Sequence, residues 1–95
     1  MEKNVTFRHC NGQHPGLNDM ALESLDKFQK YYDKIIKGEV IFNNEKVKQV
    51  EIKLQIKDAS FFASDKSDEF KKSLALAANK MERQIKKHKS KIMNN

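Results

Sequence analysis

A stretch in the middle of the chain alternates strictly between apolar and polar side chains. Within residues 50–57 the even positions are Val50, Ile52, Leu54 and Ile56, and the odd positions are Glu, Lys, Gln and Lys. Because successive side chains of a strand point to opposite faces, this pattern predicts a strand with one face in a core and the other in water. The sheet that contains this strand therefore leaves one of its faces uncovered.

Two stretches with helical periodicity lie on either side of this strand in the sequence. The first carries apolar residues from Leu17 to Ile36, with Pro15 tolerated in its first turn and Gly38 predicted to end it. The second is predicted to begin at Ser67, an N-cap followed by two acids. Its apolar face comprises Phe70, Leu74, Ala77, Ala78, Met81, Ile85 and Ile92. Each helix must bury this face against another element.

Three shorter strands complete the predicted architecture, at residues 5–8, 39–42 and 60–63, with a turn at residues 43–45. The element order is then β-α-β-β-β-α. The predicted fold is α+β, a four-stranded, mostly antiparallel sheet with two helices packed on one face, as in double-stranded RNA-binding domains. We expect one domain over residues 1–92 and a frayed tail at residues 93–95.

Composition limits the classes of protein to which this chain can belong. A chain of 95 residues, 38% hydrophobic, closes one modest core and has no room for a deep substrate cleft. No window approaches the roughly 18 apolar residues of a membrane span, and the N-terminus does not resemble a signal peptide. Cys10 is the single cysteine, which agrees with a reducing compartment. We therefore expect a cytoplasmic protein that does not interact with membranes.

Positive charge is concentrated at the end of the second helix. Residues 80–92 contain six Lys or Arg residues against Glu82, and so account for five of the chain's six net positive charges. One or two such lysines complement a helix dipole, but six repel one another. A field of this kind suits a polyanion, and the phosphate backbone of a nucleic acid is the commonest one.

One flank of the second helix gathers most of these groups. At spacings i, i+3, i+4, i+7 and i+11 it carries Lys80, Arg83, Gln84, Lys87 and Lys91. Arg83 has the two-pronged donor geometry that fits a phosphate, and Gln84 can donate to a phosphate, a ribose hydroxyl or a base edge. Lys86 and Lys89 lie on the opposite flank and widen the field. The sequence thus predicts an RNA-binding flank.

Two segments resemble a known family. Residues 70–89, with Lys-Met-Glu-Arg-Gln-Ile followed by Lys-Lys-His-Lys, are similar to the closing helix of the ribosome hibernation promoting factors, also called ribosome-associated translation inhibitors. Residues 25–32, Leu-Asp-Lys-Phe-Gln-Lys-Tyr-Tyr, resemble the Leu-x-Lys-Leu-x-Lys-Tyr block of that family's first helix. The strand order is also the family's, so the resemblance extends over nearly the whole chain.

The resemblance implies a function. Such factors bind the small ribosomal subunit in the channel of mRNA and tRNA, and they block translation on idle ribosomes under stress or in stationary phase. The residues implied to contact ribosomal RNA are Lys27, Lys30, Lys80, Arg83, Gln84 and Lys87. Inhibition by occupancy needs no cofactor, metal or small-molecule substrate. The chain resembles the family's short form, so we expect a monomer off the ribosome that does not pair ribosomes by itself.

Enzymatic and metal-binding roles find little support in the sequence. His9, Cys10 and His14 form the one cluster of candidate ligands, and a Cys-x-x-x-His spacing without a second pair falls short of a structural zinc site. The carboxylates are scattered among lysines and suggest no acid-base pair. Phe61 and Phe62 could stack on bases if one ring pointed outward, but a core role is expected for adjacent aromatics in a strand.

Two alternatives from other classes remain. A general double-stranded RNA-binding module would bind free duplexes about as well as ribosomes. A protein-interaction module, docking its last helix on an acidic partner or a membrane surface, would bind after complete removal of RNA.

Overall fold

The computed structural model describes residues 1–12 and 14–93 of the chain. The elements follow in the predicted order: β1 (Glu2–Arg8), α1 (Pro15–Tyr31), β2 (Lys37–Asn44), β3 (Lys48–Gln55), β4 (Ser60–Ser67) and α2 (Phe70–Met93). The predicted α+β class and element order are thus confirmed. Neither helix is long and apolar enough to cross a bilayer, as judged over the described residues.

The four strands form one sheet in the order β1-β2-β3-β4. β1 and β2 are parallel, because α1 carries the chain back between them. The pairs β2-β3 and β3-β4 are antiparallel and are joined by short connections. The sheet is mostly antiparallel, as predicted, and β4 lies at an edge.

Both helices pack on one face of this sheet. The alternation in β3 is confirmed, because Val50, Ile52 and Leu54 are buried whereas Lys53 and Gln55 are exposed. The helices contribute Ala21, Leu25, Phe28, Leu74, Ala77, Met81 and Ile85 to the same core. Within residues 1–12 and 14–93, no helix lies over the opposite face of the sheet, as the sequence predicted.

The first helix ends earlier than predicted. It stops at Tyr31, and the backbone of Ile36 bonds to the sheet instead, donating to the Gln55 carbonyl at 2.8 Å. Gly38 was wrongly predicted to end the helix, since it lies buried in β2. A Cβ there would lie 2.9 Å from Leu25 Cδ2, so the glycine allows α1 to approach the sheet closely.

Two strand ends were also predicted too early. Asn43 and Asn44 belong to β2, and the bend falls at residues 45–47. β4 continues through Ser64 to Ser67, although these polar residues were predicted to end the sheet. Both segments pair with β3, and this long-range pairing overrides the local turn preference of Asn and Ser.

The second helix begins at Phe70, three residues after the predicted N-cap. Ser67 Oγ accepts from the Glu69 N–H at 3.2 Å and lies 2.7 Å from Ser73 Oγ. Ser73 is fully buried, with Oγ also 2.6 Å from the Lys48 carbonyl oxygen. Ser67 therefore ties the start of α2 to the sheet without being its N-cap.

The end of the chain leaves one prediction open. α2 includes Met93, the first residue of the predicted frayed tail. Asn94 and Asn95 lie outside the described residues. The predicted domain boundary at residue 92 therefore stays a prediction.

Candidate RNA-binding surface

The buried face of α2 fixes the direction of every other side chain on the helix. Ala77, Met81 and Ile85 have no exposed surface, so this line of the helix lies against the sheet. With about 100° between successive residues, two flanks rise on either side of that line. We call Lys80, Arg83, Gln84 and Lys87 the β4 flank, and Glu82, Lys86 and Lys89 the α1 flank.

On the β4 flank, Lys80 is bound to the edge strand. Its Nζ lies 3.1 Å from Asp65 Oδ2 and donates to the Ser64 carbonyl at 3.1 Å. The pKa of Asp65 is lowered, first by the backbone N–H of Lys66 at 2.8 Å and then by Lys80. An ammonium has three donors, so one of them remains for a further acceptor.

Gln84 binds the same strand one turn further on. Its Nε2 donates to the Phe62 carbonyl at 2.6 Å. The carbonyls of Phe62 and Ser64 lie on an edge strand, where backbone acceptors would otherwise be open to another chain. Lys80 and Gln84 therefore close part of this edge while they form the base of the β4 flank.

Arg83 and Lys87 occupy the outer side of the β4 flank. Both are exposed, and neither has a hydrogen-bond or ion-pair partner among the described residues. A guanidinium and an ammonium in this state keep all their donors for an external anion. Lys91 was predicted to extend the same flank, but its side chain lies outside the described part of the chain.

The α1 flank is held by contacts with Tyr31, the last residue of α1. Glu82 accepts from the Tyr31 hydroxyl and lies 3.1 Å from Lys86 Nζ. These contacts lower the pKa of Glu82, with Lys86 the larger cause, and Glu82 in turn raises the pKa of both Tyr31 and Lys86. Lys86 Nζ also lies 5.7 Å from the centre of the Tyr31 ring.

Lys89 makes the third contact of this flank. Its Nζ donates to the Tyr31 carbonyl at 2.6 Å. That carbonyl belongs to the last turn of α1, where the helix dipole is negative and backbone acceptors lack helical donors. Lys86 and Lys89, predicted to widen the external field, thus also contact the end of α1.

The two predicted lysines of α1 are both exposed. The charge of Lys27 contributes to the lowered pKa of Glu82, which places this lysine beside α2. Lys30 lies in the last turn of α1. The structure thus places Lys27 near the α1 flank and leaves Lys30 exposed at the end of α1.

Adjacent phenylalanines of β4 point to opposite faces. Phe61 pairs in register with the buried Leu54 and packs on the core, whereas Phe62 pairs with the exposed Lys53 and is itself 52% exposed. The predicted core role holds for Phe61. Sequence reasoning left the direction of the two rings open and missed Tyr31 and Asp65, whose contacts join residues far apart in the chain.

The candidate metal ligands Cys10 and His14, near the start of the chain, contact different partners. Cys10 Sγ donates to the Arg8 carbonyl at 3.2 Å, and the His14 ring stacks on Phe7 with centroids 5.2 Å apart. No group of three or more His, Cys, Asp or Glu side chains suited to a metal ion occurs within the described residues.

Comparison with known proteins adds three findings. The family model described as Sigma 54 modulation protein / S30EA ribosomal protein matches residues 4–93. The ribosome hibernation promoting factor of Pseudomonas putida is 35% identical over 92 residues, 96% of this chain and 89% of that protein. The ribosome hibernation promotion factor of Bacillus subtilis is 30% identical over 82 residues, which is 82% of this chain and 43% of that protein.

A solved structure agrees on the fold. A ribosomal subunit interface protein from Coxiella burnetii has a TM-score of 0.80 against this chain at 24% identity. The match covers 93% of this chain and 98% of that one.

Proposed function

Because the chain belongs to the family described as Sigma 54 modulation protein / S30EA ribosomal protein, we propose that it is a ribosome hibernation factor of the cytoplasm. It binds the small ribosomal subunit in the channel of mRNA and tRNA and so keeps idle ribosomes from translating. It is a monomer off the ribosome. No bond is made or broken, since occupancy of the channel suffices.

The observation that carries this proposal is the pair of exposed cations Arg83 and Lys87, which have no partner and no covering element in the part of the chain that the structure describes. Lys80 and Gln84 form the base of the same flank. Contacts of this kind neutralise phosphates and follow the shape of an RNA helix without reading its sequence. Lys27 and Lys30 extend the surface across the helical layer.

The test is co-sedimentation of the purified protein with isolated small subunits, large subunits and a generic RNA duplex at several salt concentrations. We expect saturable one-to-one binding to small subunits that mRNA together with tRNA displaces. Equal binding to all three would identify a general RNA-binding module instead. Binding that survives complete removal of RNA would point to a protein partner.

A variant completes the test. Replacing Lys80, Arg83 and Lys87 together with Ala should abolish binding to small subunits, because three phosphate contacts are lost at once. Circular dichroism should show an unchanged fold, since all three side chains are exposed. An unchanged affinity at physiological salt would contradict the assignment of the β4 flank.

A further inference from the structure

The uncovered face of the sheet carries one large exposed aromatic side chain. Phe62 projects from the edge strand β4 on the side away from both helices, and 52% of its surface is exposed. In the described part of the chain no other Phe or Tyr residue is exposed to this extent. The ring contributes nothing to the core, which Phe61 reaches from the other face.

The surroundings of Phe62 combine an apolar base with a positively charged rim. A shallow hollow of about 310 Å³ lies beside the ring, and its charged lining residues are Lys37, Lys53 and Glu39. Lys53 is the register neighbour of Phe62, and Glu39 is the next residue across the sheet. Two cations against one acid beside a flat ring match the two parts of a nucleotide, a base with a π-face and an anionic phosphate.

The hollow and the β4 flank meet at one residue of the edge strand. The backbone carbonyl that accepts from Gln84 is that of Phe62 itself, so the residue joins the two surfaces at the edge of the sheet. An RNA strand bound at Arg83 and Lys87 would have to turn around this edge to place a base on the Phe62 ring.

We propose that Phe62 is a stacking platform for an unpaired base of the RNA bound by the β4 flank, with Lys53 beside the adjoining phosphate. The proposal rests on the proposed function and adds to it a second class of contact. The cations of the β4 flank bind phosphate through charge, whereas Phe62 binds a base through its face. The two contacts therefore differ in their response to salt.

The first test measures affinity for small subunits across a salt series. Phe62→Ala should weaken binding about 5- to 150-fold without changing the slope of log affinity against log salt, because stacking releases no counterions. Phe62→Tyr should restore binding and Phe62→Leu should not, because leucine has no π-face. Val47→Ala, which truncates another exposed apolar side chain in the bend between β2 and β3, should bind as the wild type does.

The second test identifies what lies on the ring. A photoreactive p-azidophenylalanine at position 62 should cross-link to ribosomal RNA, and the same group at position 47 should not. Cross-links from position 62 to ribosomal protein alone, or to neither, would overturn the platform. So would wild-type affinity of Phe62→Ala or of Phe62→Leu.

These outcomes separate the two proposals. If the wild type binds small subunits and Phe62→Ala binds equally well, the platform is wrong and the proposed function stands. If the wild type does not bind small subunits, the proposed function is wrong and the platform falls with it.

Discussion

The two flanks of α2 have similar composition but opposite roles. The β4 flank has two outer cations, Arg83 and Lys87. The α1 flank also has two cations, Lys86 and Lys89. On the α1 flank, the cations meet a carboxylate, an aromatic ring and a helix C-terminus. On the β4 flank, the outer cations meet nothing among the described residues.

This difference shows that the number of lysines on a helix does not set its capacity to bind RNA. A cation that already has a partner keeps fewer donors for a phosphate, whereas an unpartnered one keeps all of them. The neighbouring element decides which case applies. Here α1 ends at Tyr31 and supplies partners, while β4 presents acceptors to Lys80 and Gln84 and leaves the outer positions free.

Among the variants that compare the two flanks, the largest expected effect comes from removing the outer cations of the β4 flank. Arg83→Ala with Lys87→Ala should weaken binding to small subunits about tenfold or more at near-physiological salt. The slope of log affinity against log salt should become shallower by about 2, one unit for each lost phosphate contact. Equilibrium binding across a salt series gives both quantities.

A charge-matched control tests the comparison directly. Lys86→Ala with Lys89→Ala removes the same two positive charges from the other flank of the same helix. We expect its salt slope to stay near that of the wild type, while its thermal stability falls. Equal decreases of the salt slope in the two double variants would mean that binding depends on the total charge of the helix. The distinction between the flanks would then be wrong.

A smaller effect, on stability, should follow from exchanging the side-chain hydrogen-bond donor of Gln84 for an acceptor. Gln84→Glu replaces the donor that binds the Phe62 carbonyl with an acceptor, so we expect a loss of about 0.5–1.5 kcal/mol in the free energy of unfolding. Urea denaturation measures it. Gln55→Glu makes the same chemical change at an exposed position of β3 and should leave stability almost unchanged. If both variants behave alike, the bond to the edge strand does not contribute to stability.

The next smaller effect on stability is expected from a substitution of Lys89. Lys89→Met keeps the apolar stem but removes the ammonium from the end of α1, which should cost about 0.3–1 kcal/mol. In a domain of this size the midpoint of thermal unfolding then falls by about 1–8 °C. Lys87→Met loses the same group from the β4 flank and should melt with the wild type. A lower melting midpoint for Lys87→Met than for Lys89→Met would reverse the roles assigned to the two flanks.

The β4 flank could be predicted from the sequence because the apolar residues of α2 recur with helical periodicity. The apolar positions Met81 and Ile85 fix the rotation of α2, and the angle of every other residue follows at about 100° per step. The β4 flank was therefore predicted as a group. Alternation in β3 likewise predicted an uncovered face of the sheet before any strand neighbour was known.

The partners of these groups could not be predicted, because they depend on contacts between distant segments. Lys89 and Tyr31 are 58 positions apart, and nothing local links them. The direction of Phe62 follows from its register opposite Lys53, which two adjacent phenylalanines do not specify. Gly38 resembles a helix stop in the sequence, and its role in close packing emerges only when α1 lies on β2.

The smallest expected effect concerns the acid response of the α1 flank. The pKa of Glu82 is held below its ordinary value of 4.5 by Lys86 and Tyr31. A carboxyl whose pKa is lower in the folded than in the unfolded state stabilises the fold above its ordinary pKa, and this contribution is lost as the pH falls through the folded-state value. Glu82→Gln should therefore be less stable than the wild type at neutral pH, and the difference should shrink below about pH 4.5.

Thermal unfolding at neutral and acidic pH measures this difference. A second glutamate variant shows whether the difference depends on the contacts of Glu82 with Lys86 and Tyr31. Glu23→Gln removes the same charge from an exposed position of α1 that has no partner among the described residues. This variant is the control for the loss of a glutamate charge without the contacts to Lys86 and Tyr31. If the two variants show the same change with pH, the Glu82 carboxylate contributes nothing through Lys86 and Tyr31. The α1 flank would then be held by Lys89 and by the contact of Lys86 with the Tyr31 ring.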